Sequence, residues 1–227
     1  MTRKGHFDRC LRLFGYLQHN PKGRLKFDSS DPNLTGVIFE KHDWTDVYPD
    51  AAESLPPGAP KPLGARELKK ITIFVDASHA SCLTTRRTVT GILVITGKTP
   101  VKWYSKRQNT VGSSSYGSEL VALRIAVEAA LDIRYKLRMM GLRVENASTM
   151  LCDNQATVFN TQFPSTNLKK KHNAVAYHQC REAVAADFIR VGHIPGVNNI
   201  SDILTKPKGP QVYYQFLSNL LFGRNGS

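Results

Sequence analysis

The sequence predicts an α/β domain in which helices pack on the faces of a mixed β-sheet, and three observations predict it. Residues from Ile71 to Ser105 read as three strands separated by short turns, the pattern of an antiparallel meander. Ser113 to Met140 carries one long helical apolar pattern. From Thr149 onward, strand-like and helix-like segments alternate.

In chain order, Phe7, Leu11, Phe14 and Leu17 form an apolar helical stripe that stops before Asn20-Pro21-Lys22-Gly23. Arg24 to Asp28 alternates like a short strand, and Gly36 to Glu40 reads as another. Five prolines (Pro49, Pro56, Pro57, Pro60, Pro62) then preclude a helix or central strand, so residues 49–68 are expected to be a linker. That divides the chain into a tether segment, 1–48, the linker, and a main domain, 69–227. In the main domain Ile71, Ile73 and Val75 alternate with Thr72, Phe74 and Asp76, a strand ending on an acid. Gly91 to Thr96 and Val101 to Ser105 complete the meander. Ser113, Ser114 or Ser115 can cap the long helix, and Tyr116, Leu120, Leu123, Val127 and Leu131 give its apolar face. Thr149 to Asp153 reads as a buried strand ending on a second acid. Asn154 to Asn160 and Lys169 to Ala186 follow as helices, and Phe188 to Val191 as the last strand. A loop then reaches Asn199, and Ser201 to Thr205 and Gln211 to Phe222 read as helical.

The net charge of +13 is unevenly placed: residues 1–68 hold 10 Lys or Arg and 9 acids, residues 69–227 hold 21 and 9. A basic excess confined to one domain is the footprint of a polyanion, nucleic acid above all. Cys10, Cys82, Cys152 and Cys180 lie far apart without a Cys-x-x-Cys pair. They read as reduced thiols of an intracellular protein, cytoplasmic or nuclear. The histidines show no zinc-ligand spacing, and no apolar run approaches the ~18 residues of a membrane span, so neither zinc nor a membrane partner is expected.

Four acids stand out by position. Asp76 and Asp153 each end a strand, Glu119 lies in the first turn of the long helix, and Asp202 opens a late helix. Strand ends and helix starts at one edge of an α/β sheet commonly face one crevice. Carboxylates gathered there repel one another until cations neutralise them, and hard oxygen ligands suit Mg²⁺ or Mn²⁺. Two such ions can ready a water and steady the leaving oxygen of a phosphodiester.

The surrounding residues resemble a known family. Asp76-Ala-Ser-His-Ala, Thr85-Arg-Arg with Thr90-Gly91, Trp103-Tyr-Ser-Lys-Arg-Gln108 and Ser113-Ser-Ser-Tyr-Gly-Ser-Glu119 look like segments of a ribonuclease H domain. So do Cys152-Asp-Asn-Gln155, Lys170-Lys-His172 with Tyr177-His178, Arg181-Glu182, and Asp202-Ile-Leu-Thr-Lys206. The version they resemble ends the Pol polyprotein of copia-type long-terminal-repeat retrotransposons. The likeness covers residues 70–222, while residues 6–28 look like the segment that joins such a domain to its reverse transcriptase.

This resemblance implies a ribonuclease H-like mixed five-stranded sheet, three antiparallel strands then two parallel, flanked by helices. It implies a metal-dependent endonuclease that hydrolyses the RNA strand of RNA–DNA hybrids during reverse transcription. Its metal ligands are Asp76, Glu119, Asp153 and Asp202, holding two Mg²⁺ ions that Mn²⁺ can replace. His193, on a mobile loop before the last acid, is expected to assist proton transfer or product departure. Arg86, Arg87, Lys106, Arg107 and the Lys169–Lys171 run can neutralise phosphates, with Gln108, Ser115 and Asn154 completing the expected substrate contacts. Trp103 or Tyr104 can pack on a sugar or base, although sheet core is the plainer expectation for Trp103. The expected partners are the hybrid and the reverse transcriptase portion of the same polyprotein. The alternative function is a catalytically silent, hybrid-binding remnant of a retroelement.

Overall fold

The computed structural model describes residues 4–64, 70–81, 84–110, 112, 114–144, 147–168 and 171–222. The expectations for Cys82, Ser113, Lys169 and Lys170, and the boundary at residue 69, lie outside the described residues.

The elements are α1 (Lys4–His19), β1 (Arg24–Leu25), β2 (Ile71–Ser78), β3 (Val89–Thr96), β4 (Thr99–Arg107), α2 (Ser115–Met139), β5 (Ser148–Cys152) and α3 (Gln155–Gln162). They continue with α4 (Ala174–Ala185), β6 (Ile189–His193), α5 (Pro210–Leu217) and β7 (Leu221–Phe222). Short 3-10 turns occupy Lys171–Asn173, Gly196–Asn198 and Ile200–Leu204. Five strands form one sheet in the order β4-β3-β2-β5-β6. β2, β3 and β4 pair antiparallel, while β5 runs parallel to β2 and β6 parallel to β5. This is the expected mixed five-stranded sheet.

Strand alternation divides the core between the two faces. Ile71, Ile73, Val75 and Ala77 of β2 join Leu120, Leu123, Ala126 and Val127 of α2 and Tyr177, Cys180 and Ala183 of α4. Full burial of each of these Leu or Val side chains contributes roughly 1.5–3 kcal/mol. The α2 stripe differs from the expected one in its last turns: Leu131 is at the exposed margin, and Ala126, Ala130 and Arg134 face inward. Phe74 points the other way, towards Leu93, Ile95, Ile200 and Phe216. β2 is thus covered on both sides and sits centrally, which fixes what its C-terminal end presents.

The segment expected to be tether and linker lies largely along the domain. Asp28 accepts from the Lys98 amide at 2.9 Å, and its own amide donates to Thr99 Oγ1 at 2.8 Å. Val37 and Phe39 press on Gly192 of β6, where a Cβ would come within 2.4 Å of Val37 Cγ1. Trp44 is buried with the Arg181 guanidinium 4.8 Å from its ring centre, and Tyr48 Oη lies 2.7 Å from His178 Nδ1. Glu53 is gripped by Arg134 (2.7 Å) and Arg138 (2.6 Å) of α2, and the Leu63 amide donates to Gly141 O at 2.9 Å. The prolines do preclude regular structure in this stretch, but its side chains supply the attachment.

Three other expectations are corrected. Gly36 lies in a turn with φ of 84°, and residues 37–40 form no strand. Only Arg24–Leu25 of the Arg24 to Asp28 stretch is a strand, and it pairs antiparallel with Leu221–Phe222. That pairing ends the last helix at Leu217, five residues before the expected Phe222. The α1 stripe forms as a helix, yet Phe7, Leu11, Phe14 and Leu17 all remain exposed.

Candidate active site

Two parallel strand ends, one helix and one 3-10 turn bring the four acids together. Asp76 lies at the C-terminal end of β2, and Asp153 directly follows Cys152, which is level with Val75 on the neighbouring strand. Glu119 reaches the same place from the second turn of α2, not the expected first, because Ser114 caps that helix by accepting from the Gly117 amide at 3.2 Å. Its Oε1 accepts from the Ala77 amide at 3.2 Å, one residue past Asp76. Asp202 arrives from the opposite face. Buried Asn199 positions it, donating to Val75 O at 2.8 Å and accepting at Oδ1 from Ser201 Oγ at 2.6 Å. Asp202 and Asp76 converge on one ammonium, Lys206 Nζ.

Close backbone approach makes this convergence possible. A Cβ on Gly91, the β3 residue level with Asp76, would meet Thr205 Cγ2 at 2.6 Å and Ser201 O at 2.8 Å. Gly196 lies against Asp153, where a Cβ would be 3.2 Å from Oδ2.

The electrostatics are those of an acid cluster short of positive charge. Burial, and then the charges of Asp76 and Asp153, push Glu119 up to about 9. Burial likewise raises Asp76 and Asp153. Burial works to raise Asp202 too, but hydrogen bonds from Lys206 and Lys208 overcome it and hold that carboxyl below its usual range. Lys206 Nζ sits 2.8 Å from Asp202 Oδ1 and 3.4 Å from Asp76 Oδ1, and Lys208 also donates to Asp202. Thr205 Oγ1 donates to Asp76 Oδ2. An ammonium therefore lies where two carboxylates converge. Hard oxygen donors with raised proton affinity, around a position that already draws a cation, fit divalent metal ions.

The other expected residues divide by exposure. Register places Asp76 level with Gly91 and Ser105, Ala77 with Thr90 and Lys106, and Ser78 with Val89 and Arg107. Lys106 and Arg107 are therefore exposed at the acid end of the sheet, as are Arg86 and Arg87 just before β3. Ser115 is exposed at the start of α2, and Lys171 is exposed before α4. Half-buried Asn154 caps α3, accepting from the Thr157 amide at 3.0 Å. Gln108 is turned inward: buried, its Nε2 donates to Thr90 Oγ1 at 3.0 Å and to Ser118 O at 2.9 Å. It ties β4 to α2 instead of facing outward. His193 is the last residue of β6, not part of a loop, and its Nε2 lies 3.2 Å from Asp153 O. Trp103, expected in the core, is 57% exposed, while Tyr104 packs on the core.

Sequence reasoning passed over Lys206 and Lys208. The signal was available, since a lysine four residues after an acid in a helical segment is a side-chain pair.

No family model matches the chain. It is 27% identical over 147 residues to the "Retrovirus-related Pol polyprotein from transposon RE1" of Arabidopsis thaliana, covering 65% of this chain and 10% of the relative. It is also 27% identical over 133 residues to the corresponding polyprotein from transposon TNT 1-94 of Nicotiana tabacum, covering 59% and 10%. The chain thus spans about a tenth of the length of these curated relatives. Similar solved structures are ribonuclease H domains. Ribonuclease H1 of Halobacterium salinarum is 17% identical with a TM-score of 0.46, covering 60% of this chain and 94% of the other. LC11 ribonuclease H1 in complex with an RNA/DNA hybrid is 17% identical with a TM-score of 0.48, covering 60% and 94%. The relatives are therefore copia-type Pol polyproteins, as the sequence motifs implied. Among the described residues, no helix is long and apolar enough to cross a membrane.

Proposed function

We propose that this chain is a divalent-metal-dependent ribonuclease H that hydrolyses the RNA strand of RNA–DNA hybrids during retroelement reverse transcription. The observation that carries the reading is the meeting of Asp76, Glu119, Asp153 and Asp202 at one sheet end, with Glu119 held at about 9 by burial and its acidic neighbours. These four residues would hold two Mg²⁺ ions, or Mn²⁺ in their place. When bound, the ions ready a water and steady the departing oxygen of the phosphodiester.

The chain's own residues do the rest. Asn199 and Thr205 orient Asp202 and Asp76, and the Ala77 amide orients Glu119. Arg86, Arg87, Lys106 and Arg107 line the approach and attract the phosphate backbone. Exposed Ser115 and half-buried Asn154 stand beside the acids as further polar contacts. Recognition is by hybrid shape and 2′-hydroxyls, with little sequence preference. His193, whose Nε2 lies 3.2 Å from the Asp153 carbonyl, is assigned to proton transfer or product departure. The partner besides the hybrid is the reverse transcriptase of the same polyprotein. The exposed apolar face of α1 suits such a contact.

The test is hydrolysis of an end-labelled RNA–DNA hybrid in Mg²⁺, Mn²⁺ or EDTA, beside RNA and DNA duplex controls. Cutting of the RNA strand of the hybrid, dependent on metal, is expected. Binding of the hybrid without cutting in any metal would favour the silent remnant.

A further inference from the structure

We infer that the inner wall of the acid cluster is a second kind of metal site, in which Cys152 joins Glu119 and Asp153 to bind a thiophilic divalent cation of the Zn²⁺ or Cd²⁺ class. The inference rests on reading Glu119 and Asp153 as cation ligands and adds a soft donor that hard-ion chemistry does not use.

Two observations carry it. The Cys152 sulfur and one oxygen each of Glu119 and Asp153 lie within 4.8 Å of one another. Cys152 is fully buried, yet its thiol is directed at the Glu119 carboxylate, donating to Oε2 at 4.0 Å. A tetrahedral ion with bonds of about 2.3 Å to sulfur and 2.0 Å to oxygen sets S···O separations near 3.5 Å, so modest side-chain shifts close the triangle. Mg²⁺ has little affinity for sulfur and leaves Cys152 aside, whereas a softer ion recruits it. On binding, the Sγ–H bond breaks, its proton passes to solvent, and an Sγ–metal bond forms. No oxidant is required. Because the soft ion takes Glu119 and Asp153, it excludes Mg²⁺ from them.

The experiment uses the full chain with Cys10→Ser and Cys82→Ser, which removes the exposed thiol of Cys10 and a second thiol that is distant in sequence. Cd²⁺ is the probe, followed by its ultraviolet sulfur-to-cadmium charge-transfer band and by calorimetry, with Mg²⁺ calorimetry in parallel. One Cd²⁺ per chain with a charge-transfer band is expected. Cys152→Ser and Cys152→Ala, checked for folding by circular dichroism, should lose the band and weaken Cd²⁺ at least tenfold, with Mg²⁺ affinity changed less than threefold. A band that survives both substitutions, or no band in the parent protein, overturns the inference. Absence of Mg²⁺ binding to the parent protein would instead strike the hard-ion reading, so the two failures are distinguishable.

Discussion

Replacing Lys206 with methionine removes its charge while keeping most of its length. In the structure its ammonium is 2.8 Å from Asp202 and 3.4 Å from Asp76, whose side chains are 9% and 1% exposed, while Lys206 itself is 42% exposed. Breaking a fully buried pair costs ~3–5 kcal/mol, and an exposed pair contributes ~0–1 kcal/mol. Solvent screening of Lys206 and the remaining contact from Lys208 place this case between them, at roughly 1–2 kcal/mol without metal. For a protein of this size that lowers Tm by about 2–8 °C. Saturating Mg²⁺ takes over the same charges, so the loss should fall below about 0.5 kcal/mol. Thermal unfolding of parent and Lys206→Met in EDTA and in Mg²⁺ makes the comparison. An equal loss in both conditions, or none in EDTA, would refute the view that lysine and metal answer the same charge.

The Glu119 carboxyl sits at about 9 in the folded chain against an ordinary 4.5, so the folded state holds the extra proton in that window. Metal-free stability should therefore fall as pH rises from 4.5 towards about 9, and Mg²⁺ affinity should climb up to ~10-fold per pH unit over the same range, both readable by titration calorimetry and melting curves. Glu53→Ala leaves the buried Arg134 guanidinium without its carboxylate and should cost about 3 kcal/mol in urea unfolding while Mg²⁺ affinity holds. Because Glu53 sits at about 2, the parent should lose this contribution as pH falls from 4.5 through that value. Gly91→Ala drives a methyl to 2.6 Å from Thr205 Cγ2 and 2.8 Å from Ser201 O, and should displace Asp202 and weaken Mg²⁺ binding more than it lowers Tm. Hybrid binding should weaken ~10³-fold between about 50 and 200 mM salt if about six phosphates are contacted; a flat response in a filter-binding assay would remove the basic residues from the interface.

The central sheet was legible because β2 and β3 carry long β-branched runs, while β5 and β6 are short segments with buried apolar residues set between helical patterns. The four acids were legible because each stands near the end of its element: Asp76 late in β2, Asp153 directly after β5, Glu119 in the second turn of α2 and Asp202 in a short 3-10 turn. What stayed hidden depends on partners far along the chain. Glu53 sits in a proline-rich stretch that composition reads as linker, and only its meeting with Arg134 and Arg138 shows that it is attached. Trp103 reads as core by type, but β4 is an edge strand and its outer face stays open. Gln108 lies within a substrate-like motif and turns inward because Thr90 and the Ser118 carbonyl satisfy its amide nitrogen.

The most direct measurement compares Asp153→Asn with the parent on a labelled RNA–DNA hybrid in Mg²⁺, with circular dichroism and melting confirming that both are folded. Asn keeps the shape beside Gly196 and removes the charge a cation needs. The account predicts cleavage of the RNA strand by the parent and a loss of ~10²-fold or more in the variant, the scale of removing metal-borne charge stabilisation. Full cleavage by a folded Asp153→Asn protein, or equal cleavage by the parent in EDTA, would contradict it.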